Sequence, residues 1–247
     1  MDKVLVVTGG SRGIGRAVSL LAAQRGWIVC LSYVANRDAA EAVVREIEAG
    51  GGKALAVKGD VAVESEVADL FTAADALGPL GGLVNNAGVV DYAARVDEMT
   101  AARLTRMMTT NIVGSFLCAA QAVRRMSTKH GGQGGVIVNL SSVAARLGAP
   151  GQYVDYAASK GAIDTFTTGL AVEVADEGIR VNAVSPGLIE TEIHASGGQP
   201  DRLARLGPLV PMKRAGTAEE IAAPIVWLLS DEASYATGAN LTVSGGR

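Results

Sequence analysis

The stretch YVDYAASKGA, Tyr153 to Ala162, sets two phenols and one ammonium close together in sequence. Tyr156 and Lys160 are four apart, and on an α-helix residues at that spacing share a face, so both side chains can enter one cleft. Tyr153 lies seven before Lys160, at or before the start of such a helix. That leaves it as a pocket wall or as a packed aromatic. A phenol with a pKa near ~10 is a poor base at neutral pH. A neighbouring ammonium favours the phenolate and eases proton exchange. Bringing the phenol to pH 7 asks for about 4 kcal/mol of differential interaction. The pair reads as a proton-transfer couple.

A second chemical signal stands at the start of the chain. TGGSRGIG, Thr8 to Gly15, follows an apolar run and opens a helical pattern. Gly9, Gly13 and Gly15 permit a tight turn, close approach of backbone N–H groups to a pyrophosphate, and close packing of helix on sheet. With Ser11, Arg12 and Ile14 they form a cradle at a helix N-terminus, whose unpaired donors and partial positive charge suit phosphate. The end of the next apolar run reads LSYVANR, Leu31 to Arg37, and no acid occurs before Asp38. NAD sites usually carry a carboxylate there for the ribose 2′-hydroxyl. Arg12 and Arg37 instead offer guanidinium groups to a 2′-phosphate near Tyr33. The cofactor predicted is NADP, with NAD as the alternative. Arg37 also fits a solvated first-turn residue.

These groups need a scaffold. Short apolar runs at 3–8, 27–33, 54–58, 83–85, 136–140, 180–184 and 241–243 alternate with helical patterns at 14–25, 37–49, 64–77, 101–128, 154–176 and 218–229. Strands continuous in apolar character are buried on both faces, which marks a parallel sheet covered by helices on each side. No linker or repeat divides the chain. The spacing predicts one doubly wound α/β domain over 1–247, with the irregular stretch 187–216 as a substrate lid.

Composition narrows the function further. Twenty-two basic and 25 acidic residues give a net charge of −3, which speaks against nucleic-acid or anionic-membrane partners. Cys30 and Cys118 sit far apart in apolar surroundings and read as buried thiols of a reducing compartment. The N-terminus enters KVLVVT directly and no run reaches ~18 apolar residues, so a cytoplasmic protein is predicted. The two histidines, His130 and His194, have no partner at ligand spacing, so no metal is expected.

Together with NNAG at 85–88, Asn111 on a long helix, Ser141–Ser142 and Pro186–Gly187, the T-G-x-x-x-G-x-G loop and the Tyr-x-x-x-Lys pair resemble the short-chain dehydrogenase/reductase family. The likeness runs from residue 3 to 246, nearest to bacterial members labelled 3-oxoacyl-acyl-carrier-protein reductase or glucose 1-dehydrogenase. It implies a single Rossmann-type domain with a seven-stranded parallel sheet. It also implies a homodimer or homotetramer built on helices 101–128 and 154–176.

The resemblance makes Ser142 the holder of the substrate carbonyl oxygen and Tyr156 the proton donor. Lys160 binds the nicotinamide ribose, and Asn111 orders that lysine through a water, although Asn111 also reads as a helix-kink residue. Ser142 precedes Tyr156 by 14 positions, one more than is usual in the family, and the extra residue is assigned to APGQYVDY. Asp60 and Val61 would meet the adenine. Asn86, Ala87 and Gly88 would support the cofactor beside the sheet, and Pro186, Gly187, Ile189 and Thr191 its nicotinamide end. A chain of this family with all four catalytic residues reads as an oxidoreductase on a small carbonyl or alcohol, sugar-like, polyol-like or a simple ketone. The alternatives are a reductase of acyl groups on a carrier protein and a non-catalytic NADP-binding regulator. Against the carrier, Asp176 and Glu177 stand where an acidic partner would want positive charge, with Arg124, Arg125 and Lys129 as partial compensation. The substrate pocket is expected from Ser142, Arg146, Tyr153 and the lid.

Overall fold

In the computed structural model, which describes residues 3–247, the apolar runs become strands β1 (Val4–Val7), β2 (Ile28–Tyr33), β3 (Ala54–Lys58), β4 (Leu80–Asn85), β5 (Gly135–Leu140), β6 (Ile179–Pro186) and β7 (Asn240–Val243). They form one seven-stranded sheet in the order β3-β2-β1-β4-β5-β6-β7, and every neighbouring pair is parallel. The connections are helices α1 (Gly13–Gln24), α2 (Arg37–Ala49), α3 (Glu64–Asp75), α4 (Ala101–Met108), α5 (Gly114–Met126), α6 (Ala144–Leu147), α7 (Val154–Glu173), α8 (Ile193–Ser196), α9 (Arg202–Leu206) and α10 (Ala218–Leu229).

Strand β1 shows why its run is uninterrupted. Leu5 and Val7 pack with Val18, Ile221 and Ile225 of α1 and α10 on one face. Val4 and Val6 pack with Leu70, Phe71 and Cys118 of α3 and α5 on the other. All four β1 side chains are fully buried, each worth roughly 1.5–3 kcal/mol relative to exposure. Cys30 and Cys118 are buried free thiols whose pKa values burial pushes up to about 12.

Three elements differ from the sequence reading. Strand β4 begins at Leu80, where Gly81 and Gly82 carry no apolar signal. Glycine is needed at 82 because a Cβ there would stand 2.8 Å from Leu5 Cδ1. The helix expected over 101–128 is two helices joined by a π-turn at Thr109–Val113. Inside the irregular stretch 187–216, α8 precedes the short helix α9. A capping box between Thr217 and Glu220 follows it, and Glu220 also pairs with Arg214 at 2.6 Å.

Candidate active site

The strand order reverses between β1 and β4, and ligands of open α/β sheets bind at the carboxyl ends beside such a switch point. A cavity of about 1250 Å³ opens there. The glycine loop forms one wall. Gly9 adopts φ +63°, and its N–H donates to Ser32 Oγ at 3.1 Å. Asn86 Nδ2 donates to the carbonyls of Thr8 and Gly9 at 2.8 and 3.0 Å. Thr8 Oγ1 in turn accepts from the backbone N–H groups of Asn86 and Ala87. The NNAG segment is therefore bolted to the loop it faces. Gly15 is needed for this closeness, since a Cβ there would lie 2.4 Å from Gly9 O and 2.5 Å from Asn86 Nδ2.

The opposite wall carries the phenols. Strand β5 ends at Leu140, so Ser141 and Ser142 leave the sheet at the cavity. Ser141 Oγ donates to the Lys160 carbonyl at 3.3 Å and is buried. Ser142 Oγ accepts from Ala144 N at 3.1 Å and lines the cavity together with Tyr156. Of the two serines, both of which line the cavity, Ser142 is the more exposed. Between α6 and α7, Gly148 and Ala149 take φ +71° and +46°. Lys160 Nζ lies 5.6 Å from the Tyr156 ring centroid and donates to Leu140 O at 2.7 Å. Asn111, in the π-turn, accepts from Val89 N at 2.8 Å and donates to Val89 O and Ser159 Oγ. Its Oδ1 would be 3.4 Å from a Cβ on Gly88, and Lys160 Nζ 3.7 Å from the same point. The kink thus brings the asparagine and the lysine together behind one glycine.

Residues 9–247 match the family model described as enoyl-(acyl carrier protein) reductase. An uncharacterized oxidoreductase of Escherichia coli K12, YgfF, is 55% identical over 99% of both chains. Glucose 1-dehydrogenase 2 of Bacillus subtilis is 38% identical over 99% of this chain and 94% of its own. Among solved structures, a blue fluorescent protein from a metagenomic library in complex with NADPH superposes with TM-score 0.89 at 35% identity, covering 99% of this chain and 97% of that one. The chain belongs to the short-chain dehydrogenase/reductase family.

In this short-chain dehydrogenase/reductase most of the residues expected at the cofactor and substrate line the single cleft: Gly9 and Ser11–Ile14, Tyr33, Asp60, Val61, Asn86–Gly88, Ser142, Tyr156, Lys160, Pro186, Gly187, Ile189 and Thr191. Gly15 and Asn111 lie behind its wall as packing and anchoring residues. Arg37 is outside it, exposed, and its Nε donates to Glu41 at 2.5 Å one turn on. Arg146 is also outside, with Nη2 3.4 Å from Thr242 Oγ1 of β7. Arg12, the exposed residue before α1, keeps its place at the loop.

The electrostatics depart from the expectation of a lysine-lowered phenol. Burial pushes the Tyr156 phenol up from its ordinary value, and the hydrogen bond with Ser142 acts against that. The Lys160 ammonium is turned to the Leu140 carbonyl, and burial holds its pKa down to about 8, with Asp164 acting the other way. Tyr156 therefore carries its proton at neutral pH.

The lysine shift has a consequence for stability. Between about pH 8 and the ordinary 10.5, the unfolded chain holds a proton on Lys160 that the folded protein lacks. Stability gains with rising pH across that window, and below it the burial penalty is complete. Urea unfolding of wild type and Lys160→Met checks this. The advantage of the methionine variant at pH 7 is expected to shrink by pH 10, and a gap independent of pH would contradict it.

Several residues at the site carried no readable signal in the sequence. Asp155, adjacent to Tyr156, is fully buried against Arg103 of α4. Gln152, His194, Arg202 and Arg247 also line the cavity. Tyr153 is buried with its OH 3.5 Å from Gly197 O, under the Arg202 guanidinium.

Proposed function

We propose that the protein is an NADP-dependent oxidoreductase that interconverts a small, free carbonyl compound and its alcohol. The observation that carries this reading is the convergence of Ser142, Tyr156 and Lys160 on the cleft that the glycine loop opens into. The cradle fits a dinucleotide: Gly9, Ser11, Gly13 and the start of α1 for the phosphates, Asp60 and Val61 for the adenine, Lys160 for the nicotinamide ribose. When bound, the reduced nicotinamide supplies a hydride. Ser142 holds the carbonyl oxygen, and Tyr156 delivers the proton that the new alcohol requires. Asn111 fixes the end of α7 against the segment after β4, which keeps Lys160 in register with the ribose site.

Arg12 supports NADP over NAD, and with Arg37 occupied by Glu41 it carries that preference alone. A charge-assisted contact to phosphate contributes about 1.5–3 kcal/mol, or roughly ten- to a hundredfold in affinity. NADPH is expected to bind that much tighter than NADH, and Arg12→Ala to erase most of the difference. Fluorescence titration of both cofactors against both proteins measures it, and equal affinities in the wild type would refute the assignment.

A carrier-bound acyl substrate is the second reading, favoured by the description of the family model. The surface after α7 speaks for a free substrate instead. Lys129 is paired with Glu177 and Asp176 at 2.9 and 3.4 Å, and Arg125 with Asp75 at 2.8 Å. Little net positive charge remains there for an acidic carrier. Comparing a 3-oxoacyl group on its carrier protein with the same group on a small thiol decides the matter. A strong, salt-sensitive preference for the carrier form would overturn the free-substrate reading.

The proposed oligomer rests on the face of α5 and α7, where exposed Phe116 stacks on Phe166 with ring centroids 3.8 Å apart beside exposed Val113 and Val172. No helix among the described residues is long and apolar enough to cross a membrane, and a cytoplasmic location is proposed.

A further inference from the structure

The substrate side of the cleft holds more positive charge than a neutral ketone or polyol would use. Arg202, at the start of α9, lines the cavity with its Cζ 5.4 Å from the Tyr153 ring centroid. Its Nη1 donates to two neutral amide oxygens, Gln152 Oε1 at 2.8 Å and Gln199 Oε1 at 2.7 Å. Its Nε and Nη2 have no acceptor among the described residues. Three nearby arginines have carboxylate partners: Arg103 with Asp155, Arg106 with Asp91 and Arg205 with Asp201. Arg202 has none. The second cation on this wall is Arg247. Glu192 also lines the cavity, but on the glycine-loop side, its Oε2 3.6 Å from a Cβ placed on Gly13. Burial and the charges of Arg247 and Arg205 all bear against the Arg202 cation, with only Tyr153 favouring it.

A half-buried guanidinium held by two amides, backed by an aromatic face and left with a free Nε–Nη2 edge, is built to receive a planar oxyanion through two parallel hydrogen bonds. Tyr153, on which it rests, is three residues before Tyr156. It stands just before the first residue of α7, and Tyr153, Tyr156 and Arg202 all line the same cavity, so one ligand in it meets both the guanidinium and the phenol.

We propose that the substrate is a small oxo acid, or the hydroxy acid it forms, with its carboxylate held by Arg202 beside Arg247. This rests on the carbonyl-reductase reading and narrows its substrate class. The balance is simple. NADPH gives a hydride to the carbonyl carbon and Tyr156 a proton to its oxygen, while the carboxylate is unchanged.

Matched pairs test it, such as 2-oxopentanoate with 2-oxopentanamide and 3-oxobutanoate with 3-oxobutanamide, each with NADPH. The wild type is expected to favour each acid in kcat/KM by about ten- to a hundredfold. In Arg202→Gln that ratio falls toward one, chiefly through KM. Arg202→Lys restores part of it, having the charge without the fork. A readout independent of turnover is calorimetric binding of 2-hydroxy-2-methylpropanoate, whose tertiary carbinol cannot be oxidised, to the NADP-loaded enzyme. The acid should bind to the wild type more tightly than its amide, and Arg202→Gln should lose the difference. Amides handled as well as acids by the wild type, or an acid preference that survives in Arg202→Gln, would overturn the proposal. Reduction of neutral ketones alone would sink the oxo-acid assignment and leave the reductase reading standing. No hydride uptake by any carbonyl compound would sink both.

Discussion

Tyr156→Phe is expected to lower kcat by about 10²–10⁴-fold, the usual contribution of a positioned general acid, with NADPH affinity nearly unchanged. The variant keeps the ring that Lys160 sits beside at 5.6 Å and removes only the group that reaches Ser142. The cofactor cradle, formed by the glycine loop and by Asn86 hydrogen-bonded to it, is untouched. Tyr153→Phe is the control. Its hydroxyl makes one long contact to Gly197 O at 3.5 Å, and the ring, which supports Arg202, stays. Turnover should change only modestly. Steady-state kinetics beside cofactor titration separates the two, and a larger loss for Tyr153→Phe would reverse the assignment.

Arg103→Ala is expected to destabilise the protein by about 3–5 kcal/mol, because it strands a buried carboxylate. Asp155 has a fully buried side chain and Arg103 one that is 11% exposed. The guanidinium donates through Nε and Nη2 to both carboxylate oxygens at 2.8 and 3.2 Å, and through Nη1 to Tyr92 O at 2.6 Å. One side chain thus ties α4, the first turn of α7 and the segment after β4 together, directly beside Tyr156. Replacing both partners by apolar residues of similar volume, Arg103→Met with Asp155→Leu, is expected to recover much of the loss, since no charge is left unpaired. Urea midpoints at constant m-value give the comparison. A single variant within 1 kcal/mol of wild type, on the order of a surface pair, would show that the pair is not a clamp.

The parts of the site made by local sequence were legible. The glycine loop depends on residues within one strand-to-helix turn, and Tyr156 with Lys160 on one helical repeat. Both stand where their spacing put them, at the carboxyl ends of a parallel sheet that uninterrupted apolar runs had announced. What was hidden depends on residues far apart in the chain. Apolar spacing continues through 101–128, so nothing local marks the π-turn. That turn accompanies the bonds from the Asn111 amide to Val89 and Ser159, across 22 and 48 residues. The Arg103–Asp155 clamp spans 52. Arg37 is the opposite case: its partner in the structure, Glu41, stands only four residues on and was in plain view. Arg202 sits in a stretch with little periodicity, and only the fold brings it over Tyr153.

In the proposed reaction this cleft passes a hydride between a nicotinamide and a carbonyl carbon while Tyr156 handles the proton. Incubation with NADPH deuterated at the nicotinamide C4, in each diastereomer, and a panel of oxo acids and ketones tests it most directly, with mass spectrometry of the alcohols formed. From one diastereomer the wild type is expected to yield alcohol carrying one deuterium on the carbinol carbon. Tyr156→Phe should bind the same cofactor and form almost none. Loss of NADPH without label in any alcohol, or undiminished labelling by Tyr156→Phe, would contradict the account.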